Sequence, residues 1–406
     1  MAQRVVVVGQ GFIGLTVAVR AAQVGFEVVG FDTDPERVQR LREGEPGVDS
    51  VGVDDLAAVQ RAGSYRPTAD PAELAGFAVA VVSVPTPLRD DGSPDFRPVQ
   101  RAADLLAPHV AAGCCVVLES TVRPGATEEV FLPRLAAQGL HPGVDFHAGY
   151  SPQRIDPGNP TWTFRATPKL VAGIDGPSLA AISGFYTHLV DEVVPVATIK
   201  EAELAKLLEN TFRQVNIALV NELAVYCHGI GVDVWSVIDA AASKPFGFLP
   251  FTPGPGAGGH PVPWGEDLRM TALASEVNDG MPDYVTARAV AHLHRRAVAV
   301  DRATVLLIGL SYKRNCAAAA NSPALRVATQ LVESGAEVLA VDPMISPAIV
   351  PAGVTLVGDL ELALASADLA IVLTDHDAID WTAVSRHVER VLDTRNRLRH
   401  PAVERL

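Results

Sequence analysis

The chain opens with four consecutive valines, Val5–Val8, then a cluster of glycines, then apolar residues at helical spacing from Phe12 to about Val24. An unbroken apolar run bounded by turn residues predicts a strand buried on both faces, and the helical spacing after the glycines predicts a helix packed upon it. A second strand is expected at Glu27–Phe31, ending on Asp32, and further short runs lie at residues 79–84, 116–119 and 170–173. Strands alternating with helical stretches predict an α/β fold with a parallel, doubly wound sheet. Near residue 200 the pattern changes. Leu204, Leu208, Val215, Leu219 and Leu223 recur mostly at four-residue steps, with Gly229 as a plausible stop. This predicts one helix of about 40 Å, long enough to join two domains and offer a surface for dimerisation.

Residues 245–263 hold too many Pro and Gly for either regular element, which predicts a long loop of the kind that binds ligands. The strand–helix alternation restarts at Thr304–Ile308, with strands expected again at Glu337–Val341, 369–373 and 390–392 and a helix opening at Ser322-Pro323. The expected architecture is two Rossmann-like doubly wound domains, 1–197 and 298–406, joined by a central helical domain, 198–297.

Composition narrows the class. With 48% hydrophobic and 20% charged residues the chain reads as globular. It lacks both an apolar run of the about 18–20 residues a membrane span needs and a basic leader, so a cytoplasmic location is expected. A net charge of −14 argues against nucleic acid and anionic membranes as partners. Against that acidic background the five lysines, Lys169, Lys200, Lys206, Lys244 and Lys313, stand out as possible functional charges, most of them expected simply to be solvated. Cys114, Cys115, Cys227 and Cys316 lack metal-ligand spacing and read as buried, reduced thiols, and no metal site is expected.

Gly9-Gln10-Gly11-Phe12-Ile13-Gly14 stands between the first strand and the first helix. Gly9 permits a tight turn, Gly11 lets backbone approach a pyrophosphate, and Gly14 permits close helix–strand packing. Asp32, about twenty residues on, is placed for a ribose hydroxyl and would repel a 2′-phosphate, so NAD is expected rather than NADP. Lys206 and Asn210 share one face of the long helix, continued by Arg213 and Gln214, and a lysine with an amide can hold a reacting oxygen. A solvated helix face explains the same pattern. Lys313 and Arg395 each come after a strand of the last domain, where phosphate contacts or ordinary surface charge are equally open readings.

Further segments carry a resemblance: Val84-Pro85-Thr86-Pro87; Glu119-Ser120-Thr121-Val122-Arg123-Pro124-Gly125; E-A-E-L-A-K-L-L-E-N; G-P-G-A-G-G-H; G-L-S-Y-K; and D-T-R. In this order, over essentially the whole chain, they resemble the UDP-glucose/GDP-mannose dehydrogenase family. Ser151-Pro152-Gln153-Arg154 and Gly258-Gly259-His260 look most like its UDP-N-acetylhexosamine branch, particularly that for N-acetylmannosamine. The resemblance implies an NAD domain, a central dimerisation domain, a UDP-sugar domain and a homodimer. It also implies oxidation of the sugar C6 alcohol to a carboxylate in two hydride transfers. Lys206 and Asn210 would sit at the reacting oxygen and Thr121 would order a water. Gln153, Arg213, His260, Lys313 and Arg395 would meet the nucleotide-sugar, and Thr86, Thr121 and the glycine turn would meet NAD. Phe246, Phe248, Phe251 and Trp264 would line or close the sugar pocket.

The family's nucleophilic cysteine comes directly after G-G-H, where this chain has Pro261; the aspartate four residues on is Gly265, with Glu266 or Asp267 nearby. The glutamate of S-P-E is Gln153, and the D-x-R before Ser322 reads Ala318-Ala319-Ala320. The aldehyde-to-acid step passes through a thiohemiacetal and needs a thiolate, which proline cannot supply and for which Cys316 is a remote substitute. Three readings stay open: a two-electron dehydrogenase stopping at a carbonyl; a thiol-free four-electron route through the aldehyde hydrate; and a non-catalytic paralogue that binds NAD or a nucleotide-sugar.

Overall fold

A computed structural model of the chain describes residues 3–89, 93–258, 268–319 and 321–406. It divides into two compact units, 1–210 and 211–406, and the division falls inside the helix Ile199–Gly229.

The first unit is built on eight strands: β1 (Arg4–Val8), β2 (Glu27–Phe31), β3 (Tyr65–Thr68), β4 (Val79–Val82), β5 (Cys115–Leu118), β6 (His147–Tyr150), β7 (Lys169–Gly173) and β8 (Val193–Pro195). Their order in the sheet is β3-β2-β1-β4-β5-β6-β7-β8. The valine run forms β1 because both of its faces are covered. Val6 and Val8 enter one core with Val82, Leu118 and Phe131, while Val5 and Val7 enter the other with Leu15, Val117 and Tyr186. Each such fully buried side chain contributes about 1.5–3 kcal/mol, so the central strand is the best-held part of the sheet. The expectation of a wholly parallel sheet needs one correction: β6 and β7 run antiparallel, pairing Gly149 with Gly173. The strand expected at 79–84 stops at Val82, since the Val84 N–H is taken by Ser120 Oγ and Pro85 has none to give. Strand β3 carries Pro67, which is tolerated because β3 is an edge.

The second unit holds β9 (Thr304–Ile308), β10 (Glu337–Val341), β11 (Val354–Leu356), β12 (Leu369–Val372), β13 (Val391–Asp393) and β14 (Glu404–Arg405), ordered β11-β10-β9-β12-β13-β14 and parallel throughout. The two faces of β9 again feed two cores, Val305 and Leu307 one, Leu306 and Ile308 the other. In both sheets the strand order reverses beside a central strand, β1 or β9. The crevice at the carboxyl end of that strand is where ligands bind in doubly wound sheets.

The helix Arg269–Arg295 packs Met281, Val285, Ala289 and Leu293, a four-residue stripe, against the core of the second unit. The helix Ile199–Gly229 behaves differently. Its inward face is Ala202, Glu203, Leu207, Ala218, Val220, Asn221 and Ala224. Of the leucines that announced it, Leu204, Leu208 and Leu219 are 48%, 65% and 60% exposed. No described helix is long and apolar enough to cross a membrane.

Candidate active site

In the turn after β1 the glycines have different reasons to be glycine. Gly9 has φ of +90°, and a Cβ there would stand 2.1 Å from the Ser83 carbonyl oxygen; one at Gly14 would stand 1.8 Å from that of Gly9. The fold itself requires both. Gly11 has an ordinary φ of −77°, and a Cβ there would meet nothing nearer than Arg37 Nη1 at 3.6 Å. That space is open to a ligand. The helix Phe12–Gln23 begins at Gly11 with no side-chain cap and no acid in its first turn. The leading N–H groups, including those of Phe12 and Ile13, therefore have no helical acceptor, which suits an anion. An open Gly11 and an uncapped helix fit the pyrophosphate of a dinucleotide.

Asp32 orders this cradle: Oδ2 accepts from Gln10 N at 2.8 Å and Oδ1 from Asp34 N at 3.0 Å. Gln10 is buried, donating to the Val7 carbonyl at 2.9 Å and accepting from Tyr65 OH at 2.9 Å, which fixes the turn from below. Arg37 lies across the same place, with Nε 3.7 Å from Asp32 Oδ2 and Nη1 3.4 Å from the Gln10 carbonyl. It borders the open space at Gly11. The sequence alone did not mark it, because one arginine in a charged helix carries no pattern.

Two loops at the carboxyl ends of β4 and β5 are strapped together. Ser120 Oγ accepts from Val84 N at 2.9 Å and donates to the Val84 carbonyl at 2.8 Å, and Thr86 Oγ1 donates to the Thr121 carbonyl at 2.7 Å. At the start of the second loop, buried Glu119 accepts from Lys169 Nζ at 2.7 Å and Tyr186 OH at 2.5 Å. Burial draws Lys169 below its ordinary value, and the Glu119 carboxylate opposes this. Lys169 Nζ also lies 3.4 Å from the carbonyls of Ser151 and Pro152, steadying the segment that leads to Gln153. Lys169, one of the five lysines that stand out in the acidic chain, is thus a buried structural charge.

The end of the 119–125 loop is tied to the long helix by Glu203, which is fully buried one turn before Lys206. Its carboxylate accepts from Gly125 N (2.6 Å), Thr127 N (2.9 Å) and Thr127 Oγ1 (2.6 Å). Burial raises the Glu203 pKa while these hydrogen bonds lower it, with a net rise. Arg154 pairs with Glu209 at 2.6 Å, joining the Gln153 segment to the same helix beside Asn210. Three links therefore gather the segments carrying Thr86, Thr121, Gln153, Lys206 and Asn210. Gln153 Nε2 is buried and makes no hydrogen bond, a donor left over for another molecule.

In the second unit the corresponding turn is closed. Asp342, at the end of β10, takes the N–H groups of Leu310 (2.6 Å) and Ser311 (3.0 Å), and the helix Pro323–Glu333 is capped by Ser322. Asp342 thus takes two backbone donors of this turn, and Lys313 and Arg395 lie in the segments that follow β9 and β13 beside it. Arg395 donates from Nε to the Leu373 carbonyl at 2.7 Å, while its guanidinium lies on Gly254, where a Cβ would be 2.7 Å from Nη1. Burial pulls the Arg395 pKa down, and Asp375 and Asp393 oppose it. The glycine-rich loop runs along the same segments: Gly254 lies on Arg395, Gly256 on Pro323, and Gly258 on Tyr312 and Pro323. Asn221 Oδ1 anchors it, accepting from Gly254 N at 2.9 Å. Arg213 is half-buried on the long helix. Of the expected pocket aromatics, Phe246 is 72% exposed and Phe251 packs edge-on to Phe212. His260, Pro261, Trp264, Gly265, Glu266, Asp267 and Ala320 lie outside the described residues.

An open dinucleotide cradle in one unit and a closed, cation-rimmed one in the other agree with the matches to known proteins. Residues 3–190 match the NAD binding domain of the UDP-glucose/GDP-mannose dehydrogenase family, 200–287 its central domain and 306–400 its UDP binding domain. The chain belongs to the UDP-glucose/GDP-mannose dehydrogenase family. It is 35% identical to the UDP-N-acetyl-D-glucosamine 6-dehydrogenase of Pseudomonas aeruginosa over 84% of this chain and 83% of that one. To the UDP-N-acetyl-D-mannosamine dehydrogenase of Pyrococcus horikoshii it is 30% identical over 98% and 97%. The structure of the Pyrococcus horikoshii UDP-D-ManNAc dehydrogenase superposes with a TM-score of 0.88 at 29% identity, covering 100% and 98% of the two chains. The UDP-N-acetyl-mannosamine dehydrogenase of Staphylococcus aureus gives 0.88 at 27%, covering 99% and 97%. The protein is thus an NAD-dependent oxidoreductase acting on a nucleotide sugar.

All four cysteines are buried. Cys114 and Cys115 face opposite cores of the first sheet, and burial pushes Cys115 up to about 12. Cys227 lies in the helical cluster with Trp235, and Cys316 is buried in the loop after β9.

Proposed function

We propose that this protein oxidises the C6 alcohol of a UDP-linked N-acetylhexosamine, N-acetylmannosamine being the leading candidate, in one two-electron step and releases a carbonyl product. The observation that carries this is the absence of a usable thiol: proline stands at position 261 and every cysteine in the chain is buried. A thiohemiacetal needs an accessible thiolate, and burial disfavours the charged form. The first oxidation needs no thiol. Lys206 and Asn210 hold the reacting oxygen and stabilise the alkoxide that develops on it, while a water ordered by Thr121 takes the hydroxyl proton out to solvent as the carbonyl forms. Bound NAD supplies the acceptor for the carbon-bound hydrogen and its electron pair, which closes the balance. Gly9, Gly11, Phe12, Ile13, Gly14, Asp32 and Thr86 are the residues that would hold it. Gln153, an amide in place of an acid, offers a neutral donor to the substrate; Lys313 and Arg395 bind its diphosphate, with Arg213 and His260 completing the sugar and phosphate contacts.

The same reading makes the protein a cytoplasmic homodimer with domains 1–197, 198–297 and 298–406. The exposed leucine stripe of the long helix supports self-association, since contiguous apolar surface of this kind is ordinarily covered. Reduced, buried thiols support the location.

The test is NADH formed per sugar consumed, with UDP-N-acetylmannosamine and UDP-N-acetylglucosamine as substrates and a carbonyl trap present. One equivalent with trapped carbonyl is expected. Two equivalents with a uronic acid would overturn the two-electron reading in favour of a thiol-free hydrate route; binding without NADH would overturn catalysis.

A further inference from the structure

Behind the rim of the second crevice lies a buried cluster in which only Asp342 has a part in the roles above. His376, Asp342, Ser311 and Thr374 are all buried, His376 completely. Their composition is that of a nucleophilic triad, but their geometry is not. His376 Nδ1 accepts from the backbone N–H of Asn315 at 3.0 Å, so the ring proton resides on Nε2. That single nitrogen faces both Asp342 Oδ2 (3.2 Å) and Ser311 Oγ (3.1 Å). The Ser311 hydroxyl donates its proton to the carbonyl of Lys313 at 3.0 Å, and Thr374 Oγ1 donates to the Ser311 carbonyl at 2.5 Å. A histidine that can take no proton from the serine, enclosed on every side, activates nothing.

It does hold both ends of one segment. Through Nε2 it engages Ser311 and through Nδ1 it engages Asn315, and Lys313 stands at the centre of those five residues. Around it, Asn315 Nδ2 donates to Asp377 Oδ2 at 2.6 Å, Asp377 N donates to Asn315 Oδ1 at 2.9 Å, and Arg314 pairs with Asp375 and Asp377. The Lys313 backbone is thus fixed from within by a neutral ring that bridges 61 to 65 residues of sequence.

We propose that His376 is a positioning residue for Lys313: it clamps residues 311 and 315 so that the lysine ammonium is presented to the diphosphate of the substrate nucleotide. This rests on the reading of Lys313 as a diphosphate contact. A lysine on a wandering loop must be ordered at each binding event, whereas one on a clamped loop is ordered in advance. The closed turn makes the dependence sharper, because the backbone donors that could otherwise receive a phosphate are held by Asp342.

The experiment is a double-mutant cycle on the full chain, titrating UDP by calorimetry and NAD in parallel, with His376→Ala, Lys313→Ala and the pair. His376→Ala is expected to weaken UDP about tenfold and leave NAD within about twofold, while adding less than about twofold in the Lys313→Ala background. An effect of His376→Ala that is equally large without the lysine would overturn the proposal, since it would report general loosening. Unchanged UDP affinity in His376→Ala, with Lys313→Ala weakened, would also overturn it while leaving the role of Lys313 standing. Unchanged affinity in Lys313→Ala removes both. If His376→Ala does not fold by circular dichroism, the cycle is run with His376→Gln, which can still donate to Asp342 but offers Asn315 no aligned acceptor.

Discussion

Gly254→Ala tests whether the guanidinium of Arg395 is placed for binding or merely buried. The backbone at 254 is outside the left-handed region, so alanine meets no conformational penalty of its own. Its methyl would stand 2.7 Å from Nη1 and 3.3 Å from Cζ of Arg395. To regain ordinary separation the guanidinium must retreat by roughly 0.7–1 Å. That motion stretches the 2.7 Å bond from Nε to the Leu373 carbonyl towards the distance at which a hydrogen bond is lost. The Gly254 N–H bond to Asn221 is untouched, because it leaves from the backbone. A weakened charge-assisted bond at a half-buried site costs about 1 kcal/mol of stability, a few degrees in Tm. A guanidinium bent away from a phosphate oxygen costs about 1–2 kcal/mol of binding, so the UDP Kd should rise roughly 5- to 30-fold. Calorimetric titration with UDP reads the second quantity and a thermal melt the first. NAD affinity serves as control and should not move. If stability falls while UDP binds as before, Arg395 is a structural arginine and its assignment to the diphosphate is wrong.

The glycine turn of the first unit separates in the same manner: Gly11→Ala should keep the melting temperature within a few degrees yet weaken NAD at least about tenfold. Gly9→Ala, which drives a methyl into the Ser83 carbonyl at positive φ, should destabilise by about 3 kcal/mol or more; equal behaviour of the two variants in melts would refute the distinction. At Glu404, burial acts against the charged form, but hydrogen bonds from His292 and Arg288 and the charges of Arg288 and Arg295 outweigh it and hold the carboxyl at about 2 instead of 4.5. A carboxylate depressed in the folded state stabilises fully above pH 4.5, and that contribution is lost as pH falls towards 2, about 1–2 kcal/mol once solvent screening of a partly exposed cluster is allowed for. Glu404→Gln should therefore flatten the acid limb of the stability curve of the second unit, and an unchanged limb in urea melts at pH 5, 4 and 3 would count against the pairing.

Much of this protein is written locally. The valine run, the glycine spacing and Asp32 at the end of the second run specify a strand, a tight turn, a helix and an acid within one stretch of chain. The residues that make that unit all lie within about thirty positions, so period and spacing are enough to read it. The same holds for Thr304–Ile308 and Ser322-Pro323. Periodicity identified the helix Ile199–Gly229 but not its inward face: a stripe at helical spacing marks apolar positions without saying which of them the fold buries, and Leu204, Leu208 and Leu219 stay exposed. Whether a glycine turn is open to phosphate was beyond the sequence as well. Asp32 and Asp342 follow equivalent strands, yet Asp32 takes one backbone donor of its glycine turn and the helix there starts uncapped, while Asp342 takes two and the next helix is capped by Ser322. Glu203 reaching back to Gly125 and Arg395 lying on Gly254 are likewise pairings across 78 and 141 positions. Hydrogen bonds and close packing of that range leave no period in the sequence, because they depend on which strand ends the fold brings side by side.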